Sequence, residues 1–175
     1  MVVVFLANGF EEIEALATVD ILRRAGLEVL TVGIGGKTII GTHNIAVTAD
    51  QAEEEPLLGE VQAIVLPGTT NLEASPVVQA CIERAVADKA LVCAICAAPS
   101  ILGHKGLLQG RKATCFPGFE DELIGAVCTG EAVAVDGQFI TAKGAGVSME
   151  FALHIVAELI SPQFARELGE KMQCR

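Results

Sequence analysis

The stretch Leu91-Val-Cys-Ala-Ile-Cys-Ala-Ala-Pro-Ser100 constrains this chain more than any other. It opens as a short apolar run of the kind that forms a buried strand, and it stops at Cys96. Ala97-Ala98-Pro99 reads as a sharp turn into a helix, because the first helical turn has no partner for the N–H that proline lacks. Cys96 is therefore predicted to stand between a strand end and a helix start. Free N–H groups and the positive end of the helix dipole favour thiolate over thiol there, so Cys96 is expected to titrate below a free thiol. A nucleophile on a strand-to-helix turn has the geometry of the hydrolase elbow, although the Gly-x-Ser-x-Gly letters are absent. A buried structural cysteine satisfies the same spacing.

Other segments repeat this strand-turn-helix rhythm. Val2–Ala7 reads as a buried strand, and a helix follows over residues 11–25, stopped by Gly26. A strand is predicted over 28–33, a hairpin-like excursion over 37–48, and a loop or short helix over 53–60. Ala63–Leu66 is a buried strand ending in Pro67-Gly68-Thr69-Thr70-Asn71, with a helix over Pro76–Ala87. After the Leu91–Ile95 strand, the helix that begins past Cys96 runs to about Gly106. A short strand over 112–115 leads to Phe116-Pro117-Gly118 and a short helix. Strands over 131–135 and 138–142 flank the hairpin turn Asp136-Gly137. Helices over Ser148–Leu159 and from Ser161-Pro162 close the chain, Ser161 as N-cap. Strands alternating with helices give a doubly wound α/β fold: a mostly parallel sheet with helices on both faces. No repeat or linker divides residues 1–175, which read as a single domain.

One helix carries an unexpected acid. On a helical wheel Ala15, Thr18, Val19, Ile21, Leu22 and Ala25 form one apolar arc, and Glu14 falls inside it. A carboxyl on the inward face is expected to be desolvated, which favours its protonated form. Glu11 and Glu12 suit a plainer role, complementing the helix dipole from outside the arc. Ile13, Leu16 and Ala17 make a second apolar set on the opposite side, which points to a subunit contact.

Composition narrows the partners. With 51% hydrophobic residues and no Trp or Tyr, the interior must be built from Val, Ile, Leu and Ala, as in a sheet covered on both faces. A net charge of −10 argues against nucleic acid and anionic membrane as partners. Val2–Ala7 is too short for a membrane span and lacks a basic lead-in and a cleavage site, so a cytoplasmic protein is expected. The six cysteines are then free thiols rather than a disulfide framework. Cys93-Ala-Ile-Cys96 has redox-pair spacing, but Cys93 falls inside the strand. No second Cys-x-x-Cys or His-x-x-x-His signals zinc, and no metal is expected.

Ligands of doubly wound folds bind at the carboxyl ends of strands. Three of these ends carry chemistry: Gly9 to Glu14, Gly68-Thr69, and Cys96. The backbone N–H groups of Gly68, Thr69 and Ala97 are candidate oxyanion donors. No Gly-x-Gly-x-x-Gly or phosphate loop is present, so no nucleotide cofactor is expected.

These stretches together resemble the ThiJ/PfpI superfamily, and within it the Parkinson-disease protein deglycase subfamily and its bacterial relatives. The matching segments are Leu6-Ala-Asn-Gly-Phe-Glu-Glu-Ile-Glu14, Val19-Asp-Ile-Leu-Arg-Arg-Ala-Gly26, Val65-Leu-Pro-Gly68, Ala94-Ile-Cys-Ala-Ala-Pro99 and Gly144-Ala-Gly-Val-Ser-Met-Glu-Phe-Ala152. The resemblance implies a flavodoxin-like fold, a homodimer, and a reactive cysteine with a protonated Glu beside it, matched here by Cys96 and Glu14. It also implies that a basic residue near His43 reaches the partner subunit's site. Two departures stand out: Ala97 follows the cysteine where other branches place a His, and Phe116 takes the place of a His found in animal members.

The resemblance implies cofactor-free glyoxalase or deglycase chemistry on methylglyoxal, glyoxal and their adducts. Cys96 would add to the aldehyde and Glu14 would shuttle the proton. The same pair also suits an oxidative-stress sensor or redox-regulated chaperone, in which Cys96 oxidises to a sulfinate that Glu14 holds by a hydrogen bond. The residues alone leave both open.

Overall fold

The structure is a computed structural model and describes residues 1–174. In chain order its strands and helices begin with β1 (Val2–Ala7), α1 (Glu12–Arg24), β2 (Val29–Ile34), β3 (Thr38–Ile40), β4 (Ala46–Thr48), β5 (Gln51–Ala52) and β6 (Ala63–Leu66). Next come α2 (Pro76–Ala87), β7 (Leu91–Ile95), α3 (Pro99–His104), β8 (Lys112–Ala113) and β9 (Val127–Cys128). Last are β10 (Val133–Asp136), β11 (Phe139–Ala142), α4 (Ser148–Leu159) and α5 (Pro162–Lys171).

All six residues of β1 are buried, because the strand is covered on both faces. Its alternate side chains enter two cores: Val2, Val4 and Leu6 join Ala15, Phe151 and Ile155, while Val3 and Phe5 join Val78, Ile82 and Ile101. Thus α1, α4 and α5 cover one face and α2 and α3 the other. Each fully buried large side chain, such as Phe151 or Phe5, stabilises by about 1.5–3 kcal/mol.

The seven-stranded sheet runs β10-β11-β7-β6-β1-β2-β5. Every pairing is parallel except the antiparallel edge pair β10 and β11. Its central order β2-β1-β6-β7-β11 is the flavodoxin-like one. That order reverses direction between β1 and β6, and the crevice at this switch point is bounded by the carboxyl ends of β1, β6 and β7. No described helix is long and apolar enough to cross a membrane.

Local chemistry explains the boundaries. Glu11 caps α1 by accepting the Glu14 N–H at 2.9 Å, and Arg23 and Arg24 sit in its last turn. Ser75 and Ser161 cap α2 and α5, each followed by proline at the first helical position.

The differences from expectation are short elements. The excursion over 37–48 is the two-stranded β3–β4 sheet, and residues 53–60 hold no helix. The strand expected over 112–115 is only β8, paired in parallel with an unforeseen β9. The helix after Cys96 ends at His104. Glu12, expected outside the buried arc, is 5% exposed.

Candidate active site

β7 delivers Cys96 to the crevice. The residue lies at φ +66°, a left-handed conformation that costs a side-chain-bearing residue roughly 1–2 kcal/mol. Two backbone bonds from outside hold it there. The Cys96 N–H donates to the Ala142 carbonyl at 2.9 Å, and its carbonyl accepts the Phe116 N–H at 2.8 Å. Both neighbours are β11-side or loop residues, so the elbow is imposed by tertiary structure.

Glu14 reaches the same point from α1. It is fully buried, and Oε2 accepts the Gly68 N–H at 2.8 Å. Among the described residues Oε1 has no hydrogen-bond partner. Burial, more than the nearby Glu11, pushes the carboxyl up to about 7, against the opposing effect of the neighbouring Cys96 thiol and the Gly68 N–H.

Gly68 is required by this convergence. A Cβ there would land on Glu14 Oε2 and stand 2.8 Å from the Cys96 Cβ. Gly144 closes the other side: a Cβ at that position would be 3.3 Å from Phe116 Cδ2, 3.7 Å from Glu14 Oε1 and 3.8 Å from Cys96 Sγ. Sulfur, carboxyl oxygen and aromatic ring edge therefore surround one small volume.

The thiol departs from expectation. Burial first, then the Glu14 carboxylate, push Cys96 up to about 12, opposed by the Ala97 N–H. The helix start is too weak to win: α3 has six residues, and its cap makes no side-chain bond. A thiolate at Cys96 consequently depends on where the Glu14 proton is, since protonating Glu14 removes the repulsion.

The predicted oxyanion donors divide. The Gly68 N–H is occupied by Glu14 and is not available to a substrate while that bond holds. Among the described residues the backbone N–H groups of Thr69 and Ala97 bond to no oxygen, so these two remain. Thr69 is itself positioned, its Oγ1 accepting the Asn71 N–H at 3.1 Å. Asn71 in turn donates through Nδ2 to the Asn8 carbonyl at 2.7 Å, tying the loop after β6 to the loop after β1.

His43 lies on the excursion, 68% exposed at its side chain. Its backbone N–H donates to Glu12 Oε1 at 2.7 Å and its ring Nδ1 meets Oε2 at 2.8 Å. Glu12 raises the affinity of the ring for its proton. Within its own chain His43 thus engages Glu12, two residues before Glu14. One ligand atom each from Glu11, Glu12 and His43 lie within 4.8 Å of one another, the donor chemistry of a divalent-cation site. The Glu12 atoms are already committed to His43, and Glu11 to the helix cap.

The remaining candidates sit apart. Cys93 is fully buried in β7, and desolvation pushes its thiol far up. His104 is bonded on both ring nitrogens, to Glu73 at 2.6 Å and Glu122 at 2.7 Å. Sequence reasoning missed Glu12 and Asn71, whose partners lie 31 and 63 residues away. The bare helix wheel could not signal either.

A model of the DJ-1/PfpI family matches residues 1–158. The chain belongs to the DJ-1/PfpI family. It is similar to the Parkinson disease protein 7 homolog of Danio rerio, 34% identical over 174 residues, covering 94% of this chain and 92% of the relative. A deglycase of Pyrococcus abyssi is 32% identical over 150 residues, covering 83% and 90%. A glutathione-independent glyoxalase of Caenorhabditis elegans is 31% identical over 163 residues, covering 90% and 87%. Among solved structures, a cysteine-to-alanine variant of a DJ-1 superfamily protein from Salmonella typhimurium superposes with a TM-score of 0.93 at 35% identity, covering 99% and 98%. The DJ-1/PfpI assignment agrees with the flavodoxin-like strand order and the placement of Cys96 at a strand end.

Proposed function

We propose that this DJ-1/PfpI protein is a cysteine-dependent glyoxalase or deglycase that acts on methylglyoxal, glyoxal and their adducts without a cofactor. One observation carries the reading: a buried carboxyl raised to about 7 faces a partly exposed thiol. A base poised near neutral pH is what general catalysis needs. The names of the Pyrococcus and Caenorhabditis relatives support it.

Glu14 removes the Cys96 proton as sulfur adds to the aldehyde carbon and returns it to the oxygen formed, giving a hemithioacetal and an ionised Glu14. The Thr69 and Ala97 N–H groups hold that oxygen as charge develops. Glu14 then moves the proton from the aldehyde carbon to the adjacent ketone carbon, while the hemithioacetal hydroxyl proton passes to the ketone oxygen, leaving a thioester beside a new alcohol. Water cleaves the thioester to lactate and restores the Cys96 thiol. Methylglyoxal and one water are consumed for each lactic acid, with no net change in oxidation state.

Purified protein should form lactate from methylglyoxal, while Cys96→Ser and Glu14→Gln should each lose at least a hundredfold in kcat/KM. Equal lactate formation by Cys96→Ser would end this reading.

The unpartnered Oε1 of Glu14 favours a second use of the same pair. When protonated, that oxygen is placed to donate to an oxidised sulfur, making Cys96 an oxidation sensor.

The active form is proposed to be a homodimer. Ile13 and Leu16 on α1 are 57% and 38% exposed, and Ile40 and Ile45 on the neighbouring excursion are 48% and 52% exposed. His43 lies between the two isoleucines in sequence, so this contact would carry it toward the second subunit.

A further inference from the structure

Phe116 is a large aromatic residue left 48% exposed beside the nucleophile. The loop that carries it is nonetheless well tied. Its N–H donates to the Cys96 carbonyl at 2.8 Å, and its carbonyl accepts the Phe119 N–H at 3.1 Å. The preceding Cys115 is buried, and the Gly118 N–H donates to Glu120 Oε2 at 2.7 Å. The ring edge approaches to 3.3 Å the position a Gly144 Cβ would take, which is 3.8 Å from Cys96 Sγ. An apolar wall is thus fixed beside the partly exposed sulfur.

The charges next to the sulfur are carboxylates. Glu14 and Glu11 both raise the proton affinity of the Cys96 thiol, and Glu11 does the same to Glu14. Of the cations in the surrounding loops, His43 is engaged by Glu12, and Lys143 lines a small cavity with Cys115, Pro117 and Glu120, on the far side of the Phe116 loop. An anionic electrophile therefore meets like charge in a partly desolvated space, where Coulomb repulsion is poorly screened. An uncharged electrophile with a flat apolar group meets no such penalty and can lie against the Phe116 ring.

We infer that the Cys96 mouth selects uncharged electrophiles bearing a flat apolar or aryl group, and that Phe116 sets this preference. As a statement of substrate class it rests on the glyoxalase reading: an aryl 2-oxoaldehyde is preferred to methylglyoxal, and both to the anion glyoxylate. As a statement about access to Cys96 it stands apart from turnover.

Alkylation rates at Cys96 test the access directly. Phenacyl bromide, iodoacetamide and iodoacetate would be compared, each normalised to its rate with N-acetylcysteine and mapped to Cys96 by peptide mass spectrometry. The normalised order phenacyl bromide, then iodoacetamide, then iodoacetate is expected, and added salt should narrow the last gap. Phe116→Ala should lower the ratio of phenacyl to acetamide rates by about three- to tenfold. Phe116→Leu, which keeps an apolar wall without a ring, should fall between. An unchanged ratio in Phe116→Ala, or iodoacetate as fast as iodoacetamide, would overturn the inference. Turnover of phenylglyoxal against methylglyoxal separates it from the enzymatic reading. If neither aldehyde is consumed while the alkylation order holds, the glyoxalase proposal fails and the selective mouth stands. If methylglyoxal is consumed and the alkylation order is absent, the reverse is true.

Discussion

Glu14 and Gly68 are joined by one hydrogen bond of 2.8 Å that holds one carboxyl oxygen and leaves the second buried and unpartnered among the described residues. Burial is therefore the largest influence on the proton affinity of the carboxyl, ahead of the neighbouring Cys96 thiol and the Gly68 N–H. Ionised Glu14 is the working base, so aldehyde turnover should rise as pH climbs through about 7. The same shift costs stability in the opposite sense. The folded-state value lies above the ordinary carboxyl value of 4.5, so the stabilisation is complete below about 4.5 and is lost as pH rises through about 7. Glu14→Gln should remove this dependence and become the more stable protein near pH 8, by on the order of 3 kcal/mol at most. Urea unfolding at pH 4.5 and pH 8 measures it, and equal pH dependence in both proteins would refute the assignment.

Gly68 cannot accept a methyl group without moving Glu14 or Cys96. Gly68→Ala is expected to cost about 1–3 kcal/mol of stability from overpacking. It should also speed Cys96 alkylation by iodoacetamide, because moving the carboxylate off the sulfur lifts part of what holds the thiol up. Normal stability with normal alkylation would show that the crevice is looser than its geometry.

His104 bonds two carboxylates, Glu73 and Glu122, and a neutral imidazole has only one N–H. The ring is therefore an imidazolium, with its proton affinity raised by Glu122 and Glu73. Its stabilising contribution is complete below the unfolded-state value near 6.5 and is lost as pH rises through the higher folded value. His104→Asn should flatten stability against pH in that window. An NMR titration placing the His104 ring at or below an ordinary histidine would contradict this.

Leu16→Arg should convert the proposed dimer to monomer in sedimentation, since a charge would be set into an apolar contact. A wild-type protein that sediments as monomer removes the premise, and an unchanged dimer places the interface elsewhere.

Graded peroxide should carry Cys96 to sulfinate before any other cysteine, with peptide mass mapping as the readout. Cys93 is sealed in β7 and Cys115 is buried, whereas Cys96, although its own thiol is pushed up, is partly exposed and has Glu14 beside it to hold a sulfinate. Cys128 is exposed, but its surroundings also push its thiol up, with Glu120 and Asp121 nearby. Glu14→Leu should lose the arrest at sulfinate, because no carboxyl remains to donate to it. Sulfinate forming first at Cys174 or Cys115, or a dominant Cys93–Cys96 disulfide, would defeat the sensor use of Cys96.

The layout of the chain was readable because its strands are buried on both faces. Val2–Ala7, Ala63–Leu66 and Leu91–Ile95 are continuous apolar runs, and Pro76–Ala87 and Ser148–Leu159 begin and end at clear signals. Two-residue pairings such as β8 with β9 have no period to detect. Glu14 was visible because a carboxyl inside an apolar arc is an anomaly. Glu12 was not, since its burial depends on His43 folding back from the excursion. The acidity of Cys96 was misjudged for an energetic reason. A helix start lowers a thiol only when it outweighs burial and a facing carboxylate, and sequence order does not supply that balance.

The left-handed backbone at Cys96 has a consequence for how such a chain can change over generations. Its residue is held where a side chain is disfavoured, so the fold would be happier with glycine at the one position where chemistry needs sulfur. Selection for robustness alone would drift this site toward Gly, relaxing the elbow and erasing the nucleophile. Retaining the thiol therefore demands continuous purifying pressure from activity. A homologue that has traded the cysteine for glycine would be expected to melt at higher temperature and to have been released from the chemistry.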